Sequence, residues 1–101
     1  MAYRLTNKAT EDILNIWAEG SAMFGEAQAE RYHSDLEAIF HFLSENPKAA
    51  RLRSEIDPPV RAHPFKSHLV VYETDANEEV LILRVRHGLE NWISDPLRDP
   101  E

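Results

Sequence analysis

Residues 68–92 read HLVVYETDANEEVLILRVRHGLENW, and their reading decides the fold. Leu69 to Thr74 is a run of apolar and β-branched residues, Val80 to Val85 is another, and the polar stretch Asp75, Ala76, Asn77, Glu78 and Glu79 separates them. Two β-prone runs joined by so short a polar connection specify a β-hairpin. Its second strand closes with Arg84, Val85, Arg86, His87 and Gly88, which places two guanidinium groups on the outgoing strand and a glycine at its exit.

The segments upstream supply what this hairpin needs to bury. Residues 60–65, VRAHPF, alternate in character, and Pro64, which has no amide N–H to give to a ladder, confines them to an edge or a bulge. Lys66 and Ser67 form the turn into the hairpin. Near the start, Tyr3 to Thr6 alternates as a short first strand, and Thr6 or Asn7 caps a helix. Ala9, Ile13, Ile16, Trp17 and Gly20 then recur at spacings of three and four, the stripe of an amphipathic helix that runs to about Met23 and breaks at Phe24-Gly25. A second stripe, Ala29, Tyr32, Leu36, Ile39, Phe40 and Leu43, begins near Glu26 and stops at Asn46-Pro47, because a residue before proline avoids the helical region. Two helices with so short a break fold back as an antiparallel pair. Residues 48–59 read as a polar connector. The expected fold is α+β, in the order β-α-α-β-β-β, with a helical hairpin packed on one face of a mostly antiparallel sheet. Residues 1–93 form a single domain, and residues 94–101, with Pro96 and Pro100, leave it as an extended tail.

Composition narrows the function classes. There is no cysteine, hence no thiolate chemistry and no disulfide framework. No apolar run approaches the length that crosses a bilayer and no signal-peptide pattern opens the chain, so a soluble cytoplasmic protein is expected, with no membrane association. A net charge of −7 opposes non-specific binding to nucleic acid, which rests on neutralising many phosphates. The distribution is uneven, however: Arg61, Lys66, Arg84 and Arg86 lie in acid-free stretches with His63, His68 and His87.

Strand alternation divides the hairpin into two faces. Val80, Ile82, Arg84 and Arg86 point one way and Leu81, Leu83 and Val85 the other, while Val70, Tyr72 and Thr74 oppose Leu69, Val71 and Glu73. The helical pair covers one face, and the other is expected to be a partner surface, with Phe65, Tyr72, Val80 and Ile82 as apolar anchors and Arg61, Arg84 and Arg86 as its charges.

Catalytic motifs are sparse. His33 and His41 stand eight apart on one helix, and His63 and His68 have no third ligand, so no metal site is indicated. No serine has a nucleophile-elbow context, and three glycines at 20, 25 and 88 make no phosphate loop. RNA cleavage needs no nucleophile from the protein, and Arg61, Arg84, Arg86, His63, His87 and Tyr72 are the residue types that it would use.

The strand HLVVY (68–72), the segment ILRVRHGLENW (82–92), the stretch FGEAQAERY (24–32) and the ENP that closes the second helix (45–47) together resemble the ParE branch of the RelE/ParE superfamily of type II toxins. The resemblance spans nearly residues 1–93. It implies a small α+β toxin neutralised by a ParD-like antitoxin, which would enter along the residues named above. It also implies action by binding DNA gyrase, without enzymatic activity, catalytic residues or a cofactor. His87, Glu90 and Trp92, at the C-terminal end, are the expected target contact. RelE-like relatives cut messenger RNA on the ribosome, and the chain departs from them where they carry a catalytic arginine after the aromatic of the hairpin's first strand, since Leu69 follows His68 here. It departs again after the glycine, where Leu89-Glu90-Asn91-Trp92 replaces basic residues and a tyrosine. An acidic protein would also be repelled by ribosomal phosphates, over a Debye length of about 8 Å and beyond. The alternatives that stay open are a RelE-like ribosome-dependent mRNA endoribonuclease and a non-toxic antitoxin-binding module.

Overall fold

The computed structural model describes residues 3–88. Seven elements follow one another: β1 (Tyr3–Leu5), α1 (Asn7–Phe24), α2 (Glu26–Glu45), β2 (Leu52–Arg53), β3 (Val60–Phe65), β4 (His68–Thr74) and β5 (Val80–His87). They build one five-stranded sheet, in the order β1-β5-β4-β3-β2, with the two helices on one face. The expected α+β architecture holds. Two details differ from the sequence reading. The connector contributes a two-residue edge strand, β2, antiparallel to β3, and β1 lies parallel to β5 in the register Tyr3↔Val80 to Leu5↔Ile82. A strand of two residues carries too little periodicity to be read from sequence. Among the described residues no helix is long and apolar enough to cross a membrane.

Local chemistry explains the boundaries. Thr6 caps α1: its hydroxyl accepts from the Ala9 N–H at 3.0 Å and donates to the Leu83 carbonyl at 2.7 Å, tying the helix start to β5. Gly25 joins the helices at φ 89°, a conformation that costs a side-chain-bearing residue heavily. The β4–β5 turn contains no glycine. Instead the Asp75 carboxylate accepts from the Asn77 and Glu79 N–H groups, at 2.8 and 2.9 Å, and Glu78 takes the positive φ of 61°.

The core lies between the helices and the sheet. Ala9 and Ile13 of α1 and Leu36, Phe40 and Leu43 of α2 pack on Phe65, Val70, Tyr72, Val80, Ile82 and Val85. On the opposite face Ile56, Val60 and Val71 form a smaller cluster, flanked by half-buried Ala62, Leu69 and Leu83. The β4–β5 register shifts between Val71 and Tyr72: Tyr72 opposes Ile82, Val71 opposes Arg84, and Leu83 is the extra residue of a bulge.

That bulge lies where β1 ends. Among the described residues the edge of β5 beyond Ile82 has no strand partner on that side, and the carboxylate of Asp12 on α1 takes its place. Asp12 Oδ2 accepts from the Val85 N–H at 3.0 Å and from Arg84 Nε at 2.7 Å, and Oδ1 accepts from Arg84 Nη2 at 2.9 Å. The Arg84 side chain is 2% exposed and that of Asp12 12%. A planar guanidinium engaging both carboxylate oxygens while one of them also satisfies a strand amide locks helix to sheet.

Breaking this pair takes the Asp12 counter-charge from a buried guanidinium. Asp12→Ala should therefore destabilise the fold by about 3–5 kcal/mol in urea titrations, whereas the double variant Asp12→Leu, Arg84→Met should recover most of the loss. A second, smaller effect belongs to the exposed loop before β3, where Glu55 is held at about 2, against an ordinary 4.5, by hydrogen bonds from Arg53, its own backbone and Arg51. A depressed carboxylate stabilises the fold above its unfolded value and loses that contribution as the pH falls from 4.5 toward 2. Thermal midpoints measured across this window should fall less in Glu55→Gln than in the parent chain.

Candidate functional site

The structure places the expected partner residues in three different environments. Phe65, Tyr72, Val80 and Ile82, expected on an uncovered face, are 6, 0, 2 and 0% exposed and form the core beneath the helices. Alternation identifies residues that share a face; it cannot tell which face the helices cover. Arg61 opposes Tyr72 on the helix side, half-buried, and donates from Nη1 to the Ala50 carbonyl at 2.6 Å. Arg84 and Arg86 are 2 and 4% exposed, and the bulge at Leu83 turns them away from the face that carries Val80 and Ile82. Arg61 and Arg84 thus bond within the fold, and the two buried arginines of β5 form no exposed basic strip among the described residues. His87 is exposed at the end of β5, while Glu90 and Trp92 lie outside the described residues, as does the expected tail 94–101.

Tyr72 illustrates the same conversion from candidate to scaffold. Its hydroxyl donates to the Pro47 carbonyl at 2.9 Å and accepts from the Ala50 N–H at 3.3 Å, pinning the segment after α2 to the sheet. Burial raises its pKa above 10, only partly opposed by the Ala50 N–H and by Arg61. A phenol in that position is a poor proton donor near neutrality. Several cations outside the sheet centre are paired: Lys48 with Glu78, Arg51 and Arg53 with Glu55, and Lys66 with Asp35.

The concave feature lies on the other side of α1. Only the first half of that helix reaches the sheet: Ala9 and Ile13 are buried, whereas Trp17, Met23 and Phe24 are 37, 71 and 60% exposed. The later turns run beside α2, with Gly20 facing Ala29, and the apolar stripe of α1 continues past the residues it buries. The result is a groove of 340 Å³. One wall is Ile16, Trp17, Gly20 and Met23 of α1; the other is Ala29, Tyr32, His33 and Leu36 of α2; Ser67, His68 and His87 close its end.

At that end three rings stand in series. The Tyr32 hydroxyl and His68 Nδ1 are hydrogen-bonded at 2.5 Å, and the His68 and His87 rings meet edge-on at 5.4 Å between centroids. Ser67 Oγ lies 3.4 Å from the same Nδ1, too long and too shared a contact to activate a nucleophile. No group of three or more potential metal ligands occurs among the described residues, and His68 neighbours His87 rather than His63, whose ring packs on Phe42. The arrangement offers an apolar trough with a small polar end. The sequence signal for it was present in the large side chains Trp17, Met23 and Phe24, which continue the α1 stripe beyond the reach of the sheet.

Known proteins share this architecture. The family model described as ParE toxin of type II toxin-antitoxin system, parDE, matches residues 3–92. Toxin ParE1 of Caulobacter vibrioides is 29% identical over 89 residues, which cover 88% of this chain and 91% of that protein. Toxin ParE3 of the same organism is 29% identical over 86 residues, covering 85% of each. A solved structure described as the chromosomal ParDE TA system from P. aeruginosa superposes with a TM-score of 0.72 at 22% identity, covering 86% of this chain and 95% of that one.

Removing the Tyr72 hydroxyl should expose its structural role. Tyr72→Phe keeps the ring and abandons the Ala50 N–H and the Pro47 carbonyl, and the expected loss is about 1–3 kcal/mol in urea titrations.

Proposed function

The chain belongs to the ParE toxin family of type II toxin–antitoxin systems, and from that premise we propose that it arrests growth by binding DNA gyrase, catalyses no reaction itself, and is neutralised by a ParD-like antitoxin. It would act in the cytoplasm, where its target works. The observation that carries the non-enzymatic part is the commitment of Arg84 to Asp12. A guanidinium 2% exposed and held by both oxygens of a carboxylate does not present its N–H donors to a phosphorane. Arg61 likewise donates to a backbone carbonyl, and the net charge of −7 opposes direct contact with nucleic acid.

The antitoxin reading moves from the buried sheet residues to the groove. Among the described residues Glu19 is the one acidic side chain lining it, so this is the part of an acidic protein best suited to an apolar segment carrying negative charge at its flanks. A trough between two antiparallel helices accepts a third apolar face by ordinary ridge and groove packing. The solved neighbour's description as a ParDE system agrees with such a partner. His87 lies at the groove end, and with Glu90 and Trp92 it forms the proposed target contact. An occupant of the groove covers His87, which would explain neutralisation by simple exclusion.

Expression of the chain alone in bacteria, following DNA synthesis and translation separately, tests the reading. DNA synthesis should stop first. Translation stopping first would favour ribonuclease action, and unimpaired growth would leave a binding module. Ile16→Asp, which places a charge on the groove wall, should weaken antitoxin binding by tenfold or more, read by titration calorimetry.

A further inference from the structure

Gly20 stands in the interior of α1 and on the groove lining, where glycine is a poorer helix former than alanine. Its backbone does not require a glycine, because among the described residues Gly25 is the glycine with a positive φ. Packing within the fold does not require one either: a Cβ at Gly20 would lie 3.8 Å from the Ala29 Cβ, an ordinary van der Waals contact. The residues three and four places before and after it, its neighbours on the helix surface, are Ile16, Trp17, Met23 and Phe24. All four are large, apolar and on the groove lining. A position without a side chain, ringed by four long ones, is a hole, and Ala29 of α2 borders it with a single methyl group. We infer that Gly20 is the socket for one large apolar side chain of the antitoxin's docking segment, and so a specificity-determining position of the groove. The inference rests on the docking reading above and adds what the docked segment must carry.

Helix packing sets the fit. A knob from one helix enters a hole between side chains of the next, and the residue at the centre of the hole limits how deep it goes. Here the centre is bare backbone. The rim holds the Trp17 and Phe24 rings and the Met23 thioether, which attract an aromatic or long aliphatic side chain. A polar knob would be desolvated there without a partner. Charge selects the occupant. A second copy of this chain would bring another net −7 to the contact and be repelled. A separate partner escapes that penalty, and Glu19 is the one acidic side chain among the described residues that it would meet on the lining.

Nile red, a neutral apolar dye, is the probe, and its affinity would be read by fluorescence for the full chain and for Gly20→Ala, Gly20→Leu, Ile16→Asp and Leu14→Ala. Leu14 is the control, 64% exposed on the same helix but away from the groove lining. Each methyl-sized volume taken from the socket removes about one buried methylene contact, or about fourfold in affinity. Binding should therefore weaken about fourfold in Gly20→Ala and tenfold or more in Gly20→Leu, and stay at the parent value in Leu14→Ala. Urea midpoints of both Gly20 variants should be no lower than the parent's, since alanine and leucine are better helix formers. A lowered midpoint in Gly20→Ala would show that the fold itself needs the glycine and would overturn the inference. Parent-like dye binding in both Gly20 variants, with binding abolished in Ile16→Asp, would remove the socket and leave the groove as a docking site. Unchanged binding in Ile16→Asp would bring down the docking reading and the socket together. Sedimentation should find a monomer; a dimer that Gly20→Leu dissociates would seat a second copy in the socket and overturn its assignment to the antitoxin.

Discussion

A single buried carboxylate, that of Asp12, holds the two halves of this molecule in register. It accepts from Arg84 through both oxygens and from the Val85 amide where β1 has run out. A strand edge in a protein interior needs an acceptor, and a buried arginine needs a counter-charge. One side chain on the second turn of α1 meets both demands. The bulge at Leu83 makes this possible, since it changes the facing of β5 so that Arg84 arrives at the edge instead of under the helices. The Thr6 hydroxyl, bonded to the Leu83 carbonyl, fastens the helix start to the same place.

Clamping α1 at its first turns has a consequence at its other end. The helix is held by Thr6, Ala9, Asp12 and Ile13, so its later turns project past the sheet with their apolar stripe uncovered. A protein of this size gains little from leaving Trp17, Met23 and Phe24 in water. Their exposure makes sense as an unfilled packing surface, and the groove they form with α2 is the feature of the described residues best suited to a partner.

The residues that looked most chemical in the sequence turned out to hold the fold together. Arg61, Arg84 and Tyr72 each meet a backbone carbonyl, a buried carboxylate or a backbone amide. Such residues resemble catalytic ones in a list because both kinds are polar groups placed among apolar neighbours. What distinguishes them is whether hydrogen-bonding capacity remains for a substrate, and that depends on atoms distant in sequence: Asp12 is 72 residues from Arg84, and Ala50 is 11 from Arg61.

Local pattern by itself determined the helical pair, the β4–β5 hairpin, the α+β class and, through the segments around residues 24–32, 45–47 and 68–92, the family. Those features rest on periodicities of 3.6 and 2 and on turn chemistry, all of which act between near neighbours. Tertiary structure alone decided which side of the sheet the helices cover, where β1 pairs, and that β5 carries a bulge at Leu83. Each of these is a choice between arrangements that satisfy the same alternation, settled by contacts such as Asp12 with Arg84 that join distant parts of the chain. The groove belongs to this second kind, because it exists only where the stripes of two helices and the end of the sheet are brought together.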